Sequence, residues 1–468
     1  MPCLNPQADY DRAVGFLLER INYERALTVP YSQRTFKLQR MRELLAAIGN
    51  PHERVPGVHV AGTKGKGSTA AMTAAVLSAA GYRVGLYSSP HLEHIEERLV
   101  IDSSQCTTRQ LVELVEQVRP AVERLDQTAA REGGESGPTY FDILTAMAFL
   151  HFAEQQVDIG VLEVGLGGRL DSTNVCRPLV TVITSISFDH TQQLGDTLTA
   201  IATEKAGIIK PGVPVVSGVD QPEPRAVIRA AAEAAGSSLV ELGREFSFCY
   251  EPPEHLEQAA GRGRMKFEYH AAGARRSLDD VELGLLGQHQ AANAAVALAT
   301  CEELSKRDWN IPESAKRLGL ADVRWPARIE VLSRAPTIVL DAAHNVASIE
   351  AFLRVLDESF AATKRLLIFA TTVEKDVQGM LALIAGRFEH VIFTRYLNNP
   401  RSASPQELAE FAQAVGINCT VAETPRDAWQ MARKLMTDEH LLAITGSFFI
   451  AAEMRAVIEA NVCDDNND

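Results

Sequence analysis

The chain is 468 residues long, 46% hydrophobic and 23% charged, with a formal net charge of −14. That length calls for two domains with cores of their own, and the negative balance argues against general nucleic-acid binding and docking on anionic membranes. The seven cysteines are scattered without a CxxC pair, the N-terminus has no basic-then-apolar leader, and no apolar run reaches bilayer length, which points to a reducing, cytoplasmic setting.

Residues 8–48 read as helical, broken at Pro30 and ending in an amphipathic stretch, Phe36–Ile48. From residue 58 short apolar runs alternate with helical periodicity. Strands are expected at Val58–Ala61, Arg83–Tyr87, Ile159–Val164, Val180–Ile186 and Val213–Ser217, and helices at Thr69–Ala80, Thr107–Glu123, Phe141–Gln155, Thr197–Ile208 and Glu223–Ala235. Alternation of this kind builds a mostly parallel sheet covered by helices. The polar, glycine-rich residues 126–138 are expected to form a surface loop. Residues 244–286 suggest a small antiparallel section, including Lys266–His270 and Val281–Leu285, followed by a helix Ala291–Ser305. A second alternating unit begins near 335. Its expected strands are Thr337–Asp341, Arg365–Ala370, His390–Thr394, Cys419–Ala422 and Leu441–Thr445, with helices at Ser348–Ser359, Val377–Phe388, Pro405–Val415 and Arg426–Met436. The polar tail Cys463–Asp468 is expected to fray. The fold class is therefore α/β, with domains at 1–322 and 329–468 and a linker at 323–328, where Trp325-Pro326 interrupts regular structure.

Residues 58–68, VHVAGTKGKGS, carry the strongest chemical signal. An apolar strand runs into a loop of Gly62, Thr63, Lys64, Gly65, Lys66, Gly67 and Ser68, and a helix follows. Glycines let backbone N–H groups turn towards one anion, and the helix N-terminus adds positive potential. Lys66 can reach terminal phosphates, and the Ser68 hydroxyl can face a phosphate or its metal. Gly67 intervenes where the usual phosphate loop has Ser/Thr directly after the lysine.

Phosphate chemistry needs a hard cation, and ligands in parallel α/β sheets gather at strand carboxyl ends. Ser89 follows one strand, and a plain strand-to-loop turn explains it equally. Glu163 sits inside an apolar strand before a glycine-rich loop, where a carboxylate is costly unless paired or metal-bound. His190 ends another strand, with Asp189 before it to orient the ring; an ordinary satisfied histidine is the alternative. Lys205 shares a helix face with Leu198, Ile201 and Ala202. It either snorkels to solvent or is buried with a lowered pKa, able to react as the neutral amine and take up CO₂ as a carbamate. Later in the chain, Asn293 could read an adenine edge or serve a helix N-terminus. Arg328 could bridge to phosphates or form an interdomain salt bridge. Asp341 could bind ribose hydroxyls or cap a helix. Lys375-Asp376 follow Ala370-Thr371-Thr372, once more past a strand, and are a further candidate, with a plain charged turn as the alternative.

Taken together, these segments resemble the folylpolyglutamate synthase and dihydrofolate synthase family of the Mur ligase superfamily. The carriers are GTKGKGS at 62–68, SSPHL at 88–92, LEVGLGGRLDSTN at 162–174, SFDH at 187–190, TEKAGIIKPG at 203–212, GQHQAANAAVALA at 287–299, WPARIEVL at 325–332, LDAAHN at 340–345, EKDV at 374–377 and TGSFF at 445–449. The resemblance implies a phosphate-loop ATPase domain followed by a smaller Rossmann-like domain. It also implies an ATP-dependent ligase that joins L-glutamate to a folate or to dihydropteroate through an acyl phosphate, acting as a monomer. By the same resemblance, loop 62–68 binds ATP, and Ser89, Glu163 and His190 hold Mg²⁺ at two sites with a carbamylated Lys205. Asn293, Arg328 and Asp341 contact ATP, and His344 lies near the incoming glutamate. The chain departs from the family pattern at Lys64, where many bacterial members have Asn, at DAAHNV for DGAHNP, and at Phe141-Asp142, where Phe-Glu is usual in a folate-proximal helix. Two other classes remain as alternatives: a phosphate-loop ATPase or kinase without ligation, and a catalytically silent nucleotide-binding module, which would be expected to lack one of Glu163, His190 or Lys205.

Overall fold

Near-continuous apolar runs make strands that are buried on both faces, and in β1 (Gly57–Ala61) every residue is buried. The computed structural model describes residues 6–24, 38–131, 137–271 and 274–465. The expected break at Pro30 lies outside them. By contact density the chain divides into two units, one of residues 1–249, 266–281 and 292–323, the other of residues 250–265, 282–291 and 324–468.

In the first unit, α1 (Pro6–Leu18) and α2 (Leu38–Ala47) precede β1. There follow α3 (Lys66–Ala79), β2 (Val84–Tyr87), β3 (Leu99–Ile101), β4 (Ser104–Gln105), α4 (Thr108–Arg131), α5 (Tyr140–Glu154), β5 (Ile159–Glu163), β6 (Pro178–Ile183), α6 (Thr191–Leu194), α7 (Leu198–Ala206), β7 (Val215–Ser217), α8 (Pro222–Ala234) and β8 (Leu239–Glu241). The eight strands order as β4-β3-β2-β5-β1-β6-β7-β8. From β2 across to β8 the pairs are parallel, and at the other edge β2–β3 and β3–β4 are antiparallel. Apolar faces of α1, α2, α4 and α5 bury Phe16, Met41, Val115 and Phe149 against Tyr87 and Leu162 of the sheet. On α7 and α8, Ile201, Ala202 and Ile228 pack with Ile183 and Val215.

The loop expected over 126–138 is corrected in part. Helix α4 continues to Arg131, because Asp126 is held by Arg20 at 2.5 Å and Thr128 donates back to the Arg124 carbonyl at 3.0 Å. Residues 132–136 lie outside the described residues. Next come β9 (Phe246–Glu251), β10 (Gly263–Ala271) and β11 (Ala274–Leu283), a three-stranded sheet in the order β11-β10-β9, where a small antiparallel section is expected. Helices α9 (Gln288–Ser305) and α10 (Glu313–Asp322) follow. The short amphipathic α10 is not anticipated from the sequence.

The second unit contains β12 (Glu330–Arg334), β13 (Thr337–Leu340), α11 (Val346–Ser359), β14 (Lys364–Phe369), α12 (Val377–Ile384), β15 (His390–Phe393), α13 (Pro405–Ala414), β16 (Cys419–Val421), α14 (Pro425–Leu435), β17 (His440–Thr445) and α15 (Phe448–Asp465). Its six-stranded sheet runs β12-β13-β17-β14-β15-β16, parallel except for the edge strand β12. The tail expected to fray is helical through Asp465, and residues 466–468 lie outside the described residues.

Candidate active site

Strand order decides which loops meet. β2, β5, β1 and β6 are neighbours and all point the same way, so the segments after Tyr87, Glu163, Ala61 and Ile183 emerge side by side. This is the crevice at which ligands of open α/β sheets bind.

The loop after β1 is held from β6. Thr63 N–H donates to the Ser185 carbonyl at 2.7 Å, and Lys64 N–H donates to Ser185 Oγ at 3.1 Å. Thr184 Oγ1 donates to the Lys64 carbonyl at 2.6 Å. Helix α3 starts at Lys66, capped by Gly65 in the left-handed region at φ 81°. A side chain there is excluded twice over, since a Cβ would also lie 2.1 Å from Asn293 Oδ1. Asn293 therefore lies against the phosphate loop from within α9, well past its first residue, so a role at the helix N-terminus does not apply. Lys64 Nζ pairs with Asp189 Oδ2 at 2.6 Å. Lys66 Nζ turns back on its own loop, 3.5 Å from the Thr63 carbonyl.

Glu163 ends β5 and is buried. Its Oε2 accepts from Ser89 N–H at 3.1 Å, so these two expected ligands share one place. His190 sits at φ 50° and is exposed. Asp189 does not orient its ring as expected: Oδ1 is 4.0 Å from Nε2, beyond hydrogen-bond reach, and the other oxygen is engaged with Lys64.

Lys205 does not snorkel. It is 4% exposed, and its Nζ donates to the Gly62 carbonyl at 2.8 Å. Burial first, and then the positive charge of Lys66, hold its pKa well below the ordinary lysine value, with Asp189 opposing them. The glycine-rich loop after Glu163 is laid on the last turn of α7. A Cβ on Gly168 would stand 2.9 Å from the Glu204 carbonyl, and Arg169 pairs with Glu204 at 2.7 Å. Among the described residues no three His, Cys, Asp or Glu side chains converge into a cage. A carboxylate at a strand end with a serine beside it suits instead a cation that keeps waters and phosphate oxygens as ligands, which is the habit of Mg²⁺.

In the second unit, Asp341 directly follows β13 and is buried. It accepts from Ile329 N–H at 2.9 Å and Ala343 N–H at 2.7 Å. Burial raises its pKa, and Arg328 opposes the rise. Asp341 caps no helix: Asn345 caps α11, accepting from Ser348 N–H at 2.9 Å. Ala327 and Ile329 flank Arg328 in left-handed conformations at φ 54° and 50°, unusual for a β-branched residue. Arg328 makes no ion pair among the described residues; its guanidinium lies 6.0 Å from the Phe448 ring centroid. His344 holds Nδ1 at 3.0 Å from the Ala342 carbonyl, so Nδ1 carries a proton. Thr184, Ser185 and the Lys64 partnership of Asp189 are not among the residues expected at the site, and none of them has a local signature. Nor is the partly buried His289, whose pKa is pushed down to about 4 by desolvation and then by Arg328.

The Mur ligase middle domain matches residues 60–301, and the glutamate ligase domain of Mur ligases matches residues 327–448. The chain is similar to the dihydrofolate synthase/folylpolyglutamate synthase of Bacillus subtilis, with 36% identity over 420 residues, 89% of this chain and 94% of that protein. Among solved structures it is similar to the Mycobacterium tuberculosis folylpolyglutamate synthase complexed with ADP and AMPPCP, with a TM-score of 0.86, 32% identity, and 97% and 99% of the two chains covered. It is also similar to a folylpolyglutamate synthase complex with AMPPCP and folate, with a TM-score of 0.78, 32% identity, and 96% and 99% covered.

Proposed function

The chain belongs to the folylpolyglutamate synthase/dihydrofolate synthase family of Mur ligases, and on that premise we propose that it is an ATP-dependent ligase adding L-glutamate to the glutamyl chain of a folate. The observation that carries this for the residues themselves is that Glu163, paired beside Val60 at the end of β1, holds the Ser89 N–H, while the buried Lys205 amine reaches the Gly62 carbonyl of the phosphate loop.

The substrate carboxylate attacks the γ-phosphorus of ATP, and ADP leaves. The resulting acyl phosphate is attacked by the glutamate amine, which loses a proton, and the tetrahedral intermediate expels phosphate. Loop 62–68 holds the phosphates through backbone N–H groups, and Lys66 swings from its own turn onto the transferring group. Ser89 and Glu163 hold one Mg²⁺, and His190 with a carbamylated Lys205 holds a second; bound Mg²⁺ offsets charge on the transferring phosphoryl group. Lys205 is suited to the modification because burial and the neighbouring Lys66 disfavour its charged form and so favour the amine. Its lone pair adds to CO₂, one carbon–oxygen electron pair moves to oxygen, and the nitrogen proton leaves to solvent. Asn293, Arg328 and Asp341 contact ATP, and His344 lies near the incoming glutamate. The enzyme acts as a cytoplasmic monomer, with 1–322 and 329–468 as its domains; no helix among the described residues is long and apolar enough to cross a membrane.

A second activity, joining dihydropteroate to glutamate, is favoured by the double name of the Bacillus relative. The test for both is incubation with ATP, Mg²⁺, glutamate and either tetrahydrofolate or dihydropteroate, with products identified by mass. A product heavier by one glutamyl residue is expected. ATP hydrolysis that is indifferent to glutamate, with no such product, overturns the ligase assignment.

A further inference from the structure

The first unit buries a polar chain that the chemistry above does not use. His59 is the middle residue of β1 and is fully buried. Its Nε2 lies 2.8 Å from Thr173 Oγ1. Thr173 Oγ1 in turn donates to Asp171 Oδ1 at 2.5 Å. A hydroxyl has one proton to give, so Thr173 must accept from the ring, and the imidazole carries its proton on Nε2. Burial pushes the His59 pKa down to about 3, so the ring is neutral. Its Nδ1 has no partner among the described residues. A leucine in this place would avoid that unmade hydrogen bond, so the single contact the ring makes is the reason for a histidine here.

That contact leads to the loop beside Glu163. Asp171 accepts from Leu166 N–H at 2.9 Å and from Thr173 N–H at 3.0 Å, as well as from the Thr173 hydroxyl. It also accepts from Gly165 N–H. One carboxylate thus closes the whole turn from Gly165 to Thr173, directly after Glu163. The same turn rests on α7, where a Cβ on Gly168 would meet the carbonyls of Glu204 at 2.9 Å and Lys205 at 3.1 Å.

We propose that His59 is a positioning residue: through Thr173 it locks Asp171, and Asp171 folds loop 165–173 so that Glu163 and Lys205 take their places around the phosphate loop. The functional consequence rests on Glu163 being a metal ligand; the structural relay does not. Groups that orient ligands from behind commonly change metal affinity as much as the ligands' neighbours do.

The full-length chain tests this with H59L, H59Q and T173V. Glutamine offers an N–H close to where Nε2 stands, so H59Q should behave as the parent. In the nucleotide-free protein, H59L and T173V should each raise amide exchange at residues 165–173 by about tenfold or more, and weaken Mn²⁺ binding to the AMPPCP complex to a similar degree, with the KM for ATP held within about twofold. The double variant H59L/T173V should be no worse than either single one, because both cut one chain. Unchanged exchange at 165–173 in H59L, additive effects in the double variant, or an H59Q as defective as H59L each overturn the relay. If H59L does not fold, T173V removes the same link with little change in volume, and unchanged exchange in T173V overturns the relay in its place. E163Q separates the two levels: Mn²⁺ affinity unaltered by E163Q overturns the metal role of Glu163, whereas the exchange result still decides the relay.

Discussion

Lys205 on α7 and Lys316 on α10 are buried to the same depth, 4% and 3% exposed, in the same unit. Their surroundings differ. Lys316 pairs with Glu302, which also takes Arg276 at 3.2 Å. Lys205 has only the Gly62 carbonyl for its Nζ among the described residues, with Lys66 and Lys64 disfavouring its charge. Depth of burial therefore does not decide how strongly a lysine's charge is disfavoured. The partner does: a carboxylate keeps the ammonium as half of an ion pair, and a lone carbonyl beside other cations shifts the balance towards the amine.

Swapping each lysine for methionine should pull the two cases apart. K205M should lower ligation by about a thousandfold, on the order of 4 kcal/mol of transition-state stabilisation, measured as glutamylated product by mass. Its calorimetric unfolding temperature should hold or rise, because an amine short of counter-charge gives way to an apolar chain of similar length. Small carboxylic acids should restore part of the turnover. K205M with parental activity would refute the carbamate role. K316M should do the reverse. It leaves Glu302 buried with Arg276 alone, costing about 3 kcal/mol in urea unfolding while the folded enzyme keeps its kcat, and adding E302M should recover most of the loss.

Gly65 sharpens the contrast from the loop side. G65A must hold alanine at φ 81° and push Asn293 Oδ1 away from a 2.1 Å clash. Strain of about 1–2 kcal/mol should appear mainly as an ATP KM raised about tenfold, and an unchanged KM would show that the turn relaxes freely. The smallest effect is in pH. The folded pKa of Lys205 is depressed while the unfolded one is ordinary, so between the two the unfolded chain binds more protons. The amine's contribution to stability is thus complete above the ordinary lysine value and is lost as pH falls towards the folded one. In CO₂-free buffer the stability of the parent relative to K205M should rise with pH, by at most about 1.4 kcal/mol per unit. Parallel profiles would mean that Lys205 is charged where it stands.

Much of this was legible in the chain. The strands at 58–61, 84–87 and 159–163 are apolar runs bounded by glycine, proline or charge, and a strand that is buried on both faces admits little else. Glu163 and Lys205 stood out because each breaks an apolar pattern in which it sits. By contrast α10 (ESAKRLGLAD) and β12 (EVLSR) carry weak periodicity and are formed by what they pack against. The Lys64–Asp189 pair joins residues 125 positions apart, and no local pattern announces it. His59 lies inside the most legible segment of all, yet reads there as one more strand residue.

By itself the sequence determined the alternation of strand and helix, the glycine loop and the residues that offend their surroundings, because burial, turn geometry and helix periodicity act over a few neighbours. Only the tertiary structure decided which strand ends lie side by side, that Asp189 serves Lys64 and not His190, and that the proton of His59 points at Thr173. Those outcomes depend on strand order and on hydrogen-bond partners more than a hundred residues away, which no local spacing encodes.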